Sequence, residues 1–148
     1  MKIKLSILNN RFNLDLKENI IIIGGNSGTG KTLLVRAVKN DMLLKGIKSE
    51  YEIIDKLNTP TEEEFKQKIN NLKDKVIVID NADRYLNKEI IKWINLDSRN
   101  RYILIGRAVS GVETPPSGIS IMEYDNVKEE FKLRYIFEEE GWWWFTYL

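Results

Sequence analysis

The chain has 148 residues, enough for one domain with a sizeable core. Its 23 Lys and Arg against 22 Asp and Glu leave a net charge of +1, which supplies no electrostatic argument for a nucleic-acid partner. The absence of cysteine and histidine removes disulfides, thiolate chemistry, the usual zinc ligands, the commonest general base and every Ser-His-Asp arrangement. Chemistry must come from carboxylates, Lys, Arg, hydroxyls and a bound metal.

The opening MKIKLSILNNRF has too short an apolar run for a signal peptide. No segment approaches the ~20 apolar residues that span a bilayer, so cytoplasmic residence is the default expectation. Ile3, Leu5 and Ile7 alternate with polar residues, and Phe12, Leu14 and Leu16 do so beyond Asn9-Asn10. Asn tolerates positive φ, so this pattern predicts a hairpin turning there, feeding the next strand and extending its sheet.

Four consecutive isoleucines, Ile20 to Ile23, read as a strand buried on both faces, as in a parallel sheet. They run into GGNSGTGKT, where Gly25, four residues, then Gly30-Lys31-Thr32 fit G-x-x-x-x-G-K-[ST]. Glycines let the backbone curl so that successive N–H groups point inward, and the helix that follows adds its unpaired N–H groups and positive dipole end. Gly25, Asn26, Ser27, Gly28, Thr29, Gly30, Lys31, Thr32 and Leu33 are therefore the candidate phosphate cradle. Lys31 would reach the β- and γ-phosphates, and the Thr32 hydroxyl would ligate Mg²⁺. With Gly28 the loop reads G-x-x-G-x-G-K-T, and here the chain resembles the P-loop NTPase superfamily, in a version similar to those of ABC, AAA-like and some kinase families.

Behind the loop, Leu33, Leu34, Ala37, Val38, Met42 and Leu43 recur at helical spacing, with Gly46 placed as the stop. Lys48 to Asp55 reads as a second parallel strand. Asn58-Thr59-Pro60 breaks the chain, and Thr61 with Glu64 forms a capping-box pattern for the helix EEEFKQKINNLK, whose apolar stripe is Phe65, Ile69 and Leu72.

Val76 to Ile79 is a third buried strand, and it ends in Asp80. It resembles the second nucleotide-binding element of P-loop proteins, where a carboxylate helps hold Mg²⁺, a hard cation bound through few protein oxygens. Families of this type commonly carry Glu directly after that Asp to polarise the attacking water; here the position is Asn81, an amide that cannot act as a base. Asp83 is the nearest substitute, with helix capping or a pair with Arg84 as its structural alternative.

LNKEIIKWINLDSRN reads as a third helix and RYILIGR, Arg101 to Arg107, as a fourth core strand. In AAA-like families a polar residue near the end of this strand senses the γ-phosphate. Gly106 has no side chain, which leaves Arg107 or Ser110 as candidates. AVSGVETPPSG must be a loop, either a plain connection or a lid beyond the carboxyl end of a central strand. ISIMEYD reads as the fifth core strand. EFKLRYIFEEEGWWWFTYL reads as a terminal antiparallel hairpin turning near Glu140-Gly141. Trp142, Trp143 and Trp144 cannot all face one core on a strand, so at least one shields an edge or meets a partner.

The expected architecture is α/β, with residues 1–148 forming one nucleotide-binding domain. The resemblance implies a three-layer P-loop sandwich with a mainly parallel sheet ordered 5-1-4-3-2, plus antiparallel hairpin extensions at the N- and C-termini. It also implies ATP or another nucleoside triphosphate with Mg²⁺, weak or partner-stimulated hydrolysis, and a protein partner or second subunit able to supply an arginine. Lys31, Asp83 and Arg107 are the candidates for catalysis, and Thr32 and Asp80 for the metal. Two other readings stand beside it. One is a small-molecule or nucleotide kinase, which would draw on Arg99, Arg101 and Arg107; the other is an interaction module that binds nucleotide without turnover.

Overall fold

The computed structural model describes residues 1–25, 30–106 and 111–136. In chain order its elements are β1 (Lys2–Ile7), β2 (Asn10–Asp15), β3 (Ile20–Gly24), α1 (Lys31–Lys45), β4 (Tyr51–Ile53), α2 (Glu62–Asn70), β5 (Val76–Ile79), α3 (Ala82–Tyr85), α4 (Lys88–Leu96), β6 (Arg101–Ile105), β7 (Ile119–Asp125) and β8 (Glu130–Tyr135). Among the described residues, eight strands form one sheet in the order β1-β2-β8-β7-β3-β6-β5-β4. The run β7-β3-β6-β5-β4 is parallel throughout. The pairs β1/β2 and β7/β8 are antiparallel hairpins, joined where β2 meets β8 in parallel at Phe12 and Phe131.

The parallel strands read as unbroken apolar runs because helices cover both of their faces. Residues of β5 show how this works. Val76 and Val78 face the cluster containing Leu34, Ala37 and Val38 of α1, while Ile77 and Ile79 face the cluster of Phe65 and Ile69 from α2, Tyr85 from α3, and Ile90 and Ile94 from α4. The result is three layers, with α1 on one side and α2, α3 and α4 on the other. α1 touches both edge strands, β1 and β4, so the sheet curls around it. No helix among the described residues is long and apolar enough to cross a membrane.

Local signals place the helix ends. The Thr61 hydroxyl accepts from the Glu64 N–H at 3.1 Å, and the Asn87 side-chain oxygen accepts from the Ile90 N–H at 2.9 Å. Gly46 ends α1 with φ 56.

Several expectations need correction. The positive φ of the first hairpin falls on Leu8, at φ 53, rather than on an asparagine. That hairpin does not adjoin β3. Tyr135 on β8 donates its hydroxyl to the Asp15 carbonyl and accepts from the Lys17 N–H, so β8 and β7 lie between β2 and β3. The two extensions therefore merge on one side of the sheet. The strand expected over 48–55 keeps only Tyr51–Ile53, because residues 46–48 complete a 3₁₀ turn and Asp55 caps the next turn, accepting from the Leu57 and Asn58 N–H groups. The helix expected from Leu86 starts at Lys88, after the separate single turn α3. The described C-terminal hairpin is β7/β8, turning between Asp125 and Glu130; the turn expected at Glu140-Gly141 and Trp142–Trp144 lie outside the described residues.

Candidate functional site

Parallel strands end at the same edge of a sheet, so the loops after β3, β5 and β6 converge. At the end of β3, Gly25 has φ 102, and the Lys31 ammonium donates to its carbonyl at 2.6 Å. Asn26, Ser27, Gly28 and Thr29 lie outside the described residues. The chain re-enters at Gly30, whose φ of 97 turns it into α1. A Cβ on Gly30 would lie 2.6 Å from the Phe131 ring, so both its backbone angle and its neighbour require glycine. α1 has no side-chain cap and no acidic residue in its first turn, and its helical bonding begins with Leu34 N–H to the Gly30 carbonyl at 2.9 Å. The N–H groups of Lys31, Thr32 and Leu33 therefore have no acceptor among the described residues, and they sit at the positive end of a 15-residue helix.

The corner after β5 supplies the acidic side. Asp80, half-buried, accepts from the Asn81 N–H through Oδ1 at 2.9 Å, and its other oxygen has no partner among the described residues. Asn81 takes φ 50, which turns the chain into α3. Ala82 and Tyr85 then point into the core, leaving Asp83 and Arg84 exposed. Tyr85 anchors this single turn by donating to the Thr59 carbonyl at 2.7 Å. Burial, with the nearby charges of Asp55 and Glu64, pushes its phenol up to about 12.

Gly106, at the end of β6, explains how close this corner comes. A Cβ there would be 2.8 Å from Asp83 Oδ1 and 3.1 Å from the Asp83 backbone nitrogen. The space a polar side chain would need at the end of β6 is thus filled by the Asp83 carboxylate. Asp83 makes no ion pair with Arg84 among the described residues.

Together these groups enclose a hollow of about 660 Å³. Lys31, Thr32 and Leu33 line one wall; Asp80, Asn81, Asp83 and Arg84 line the other; Ile105 and Gly106 form the floor. It is larger than the hollow of about 370 Å³ between the first hairpin and α1, where Lys4, Arg11, Asp41 and Glu130 show no comparable convergence of loop ends. Arg84 is a charged lining residue that sequence reasoning missed as a site residue. The apolar pair Ala82 and Tyr85, three apart, was the available signal that one helical turn would bury them and turn 83 and 84 outward.

Oxygen donors suited to Mg²⁺ are present, the Thr32 hydroxyl and the Asp80 carboxylate. No group of three His, Cys, Asp or Glu able to hold a metal occurs among the described residues. The donor set therefore fits a cation bound mainly through phosphate oxygens and water, with two protein ligands.

Other expected residues fall elsewhere. Arg99 donates to the carbonyls of Ile69 and Asn70, and Arg101, at the start of β6, donates to the Glu18 carbonyl. Both lie at the amino edge of the parallel strands, opposite the hollow, because Arg99 precedes β6 and Arg101 is its first residue. Arg107 and Ser110 lie outside the described residues. The described part of the loop expected as a lid, 111–118, is tied down. Asn95 bonds Gly111 and Glu113, and Thr114 donates to the Ile20 carbonyl at the amino end of β3.

A comparison with family models matched residues 21–105, more than half of the chain, to the ATPase family associated with various cellular activities (AAA). No curated protein matched the chain.

Proposed function

Because the chain belongs to the AAA family of ATPases, we propose that it binds Mg-ATP in the hollow between α1 and the β5–α3 corner. Hydrolysis would be weak or dependent on a partner. One observation carries this reading: Lys31 and Thr32 after β3 and Asp80 after β5, nearly fifty residues apart, line the same hollow. The sheet supports it as well. Counted among themselves, the parallel strands run fifth, first, fourth, third, second, which puts β6 between the two strands that carry the loop and the carboxylate.

In this proposal the loop and first-turn N–H groups hold the phosphate chain, and Lys31 exchanges the Gly25 carbonyl for phosphate oxygens. Thr32 and Asp80 would hold Mg²⁺, which would supply positive charge against the phosphates. Asp83, above Gly106, is the base that takes a proton from the attacking water, which the Asn81 amide can hydrogen-bond but not deprotonate. Arg84 adds positive charge at the same rim, and Arg107 or an arginine from a second copy is the further candidate. A reading as a nucleotide-gated interaction module without turnover is favoured by Asn81 following Asp80. The kinase reading loses Arg99 and Arg101 to the opposite edge.

Calorimetric titration of Mg-ATP into wild type and Lys31→Ala tests the site. Loss of at least tenfold in affinity is expected, since a charge-assisted phosphate contact contributes roughly 1.5–3 kcal/mol. Unchanged affinity would refute the assignment. Phosphate release by purified protein then separates the two readings: slow multiple turnover supports the ATPase, and tight binding with less than one phosphate released supports the module.

A further inference from the structure

We propose that the β7–β8 hairpin carries the nucleobase platform, with the Tyr124 ring, backed by Phe131, stacking on the base of the nucleotide whose phosphates occupy the glycine loop. This inference rests on the nucleotide-binding reading and adds to it the residues that take the base.

Tyr124, Phe131 and Phe12 form one row across three adjacent strands. Tyr124 is paired with Phe131 in the β7/β8 register, and Phe131 with Phe12 in the β2/β8 register. The Phe131 ring stacks on Phe12 at 4.9 Å, and Tyr124 meets Phe131 edge to face at 5.1 Å. The row lies on the α1 face of the sheet, because Met122 and Leu133, two residues away on each strand, pack in the cluster that contains α1. Its inner end, Phe12, is buried, whereas Tyr124 is 46% exposed.

The row also abuts the loop. The Phe131 ring occupies the space where a Cβ of Gly30 would stand, and a Cβ on Gly25 would be in ordinary van der Waals contact with Ile121 at 3.6 Å. β7 runs parallel to β3, with Ile121 beside Gly24. Tyr124 therefore lies three residues, roughly 10 Å, beyond the start of the loop along the strand direction. That distance is comparable with the span from a nucleotide's phosphates across its ribose to its base.

The direction is right as well. Asp80 and Asp83 lie on the β6–β5 side of β3, and Tyr124 and Phe131 on the β7–β8 side. A triphosphate whose terminal end lies on the Asp80 side of β3 would point its nucleoside end toward the aromatic row. The base would be gripped by its face, which every nucleobase offers, so the platform contributes affinity with little base selectivity.

The test compares ATP with inorganic tripolyphosphate, which has the phosphates and no base, by calorimetry on wild type, Tyr124→Ala, Tyr124→Trp and Lys31→Ala. Tyr124→Ala should weaken ATP by roughly five- to a hundredfold and leave tripolyphosphate unchanged, and Tyr124→Trp should keep ATP affinity. Lys31→Ala should weaken both ligands. Tyr124→Ala with wild-type ATP affinity, or with equal losses for the two ligands, overturns the platform alone. Wild-type protein that binds neither ligand overturns the phosphate site, and the platform with it.

Discussion

Gly30→Ala is the sharpest test of the packing around the loop. The new Cβ would stand 2.6, 2.8 and 3.2 Å from three carbons of the Phe131 ring, while the backbone is held at φ +97. A left-handed backbone costs an L-residue roughly 1–2 kcal/mol. An extra methyl forced into a filled site costs roughly 1–3 kcal/mol, since Phe131 is confined by Phe12 and Tyr124. The sum, about 2–5 kcal/mol, corresponds to a Tm lower by roughly 5–15 °C for a chain of this size. A double-mutant cycle separates the two parts. In a Phe131→Ala background the clash is gone, so Gly30→Ala should cost only the backbone part, leaving a coupling of about 1–3 kcal/mol. Chemical denaturation of the four proteins measures it. A Tm within about 2 °C of wild type, or strictly additive costs, would refute the placement of Phe131 against the loop.

Asp80→Asn should abolish the gain in ATP affinity that Mg²⁺ confers, read by calorimetry with the metal and with chelator; equal wild-type affinities in the two conditions would contradict the metal role. Thr61→Ala removes the acceptor for the Glu64 N–H and should cost about 1 kcal/mol in urea denaturation without touching nucleotide affinity. Tyr85 is neutral when it donates to Thr59, and its folded pKa of about 12 lies above the ordinary 10.0. Its contribution is therefore complete below pH 10 and lost as pH rises through 12. Tyr85→Phe should be less stable than wild type at pH 8, with the gap closing above pH 10. A gap that widens with pH would reverse the sign. Burial raises the Tyr51 and Tyr102 phenols too, so the wild type should lose stability in alkali beyond what Tyr85 explains.

Elements with strong local codes were legible from sequence. Ile20–Ile23 and Val76–Ile79 announce buried parallel strands because both of their faces are apolar, and Thr61 with Glu64 marks a helix start through a bond only three residues long. The family that matched residues 21–105 was legible for the same reason, from the glycine spacing and the Asp that follows VIVI. Boundaries were less so. Leu8 rather than an asparagine takes the positive φ because the hairpin register, pairing Ile7 with Asn10, dictates which residue turns.

Tertiary structure alone decided what lies beside what. No local pattern shows that β8 inserts between β2 and β7, since that depends on contacts such as Tyr135 with Asp15, separated by most of the chain. Arg84 reached the hollow, and Arg99 and Arg101 left it, because a strand has two ends and sequence proximity does not say which end faces the loop. Gly106 reads in the sequence as a missing sensor. In the fold it is the space that Asp83 fills, a fact of packing between two strand ends more than twenty residues apart.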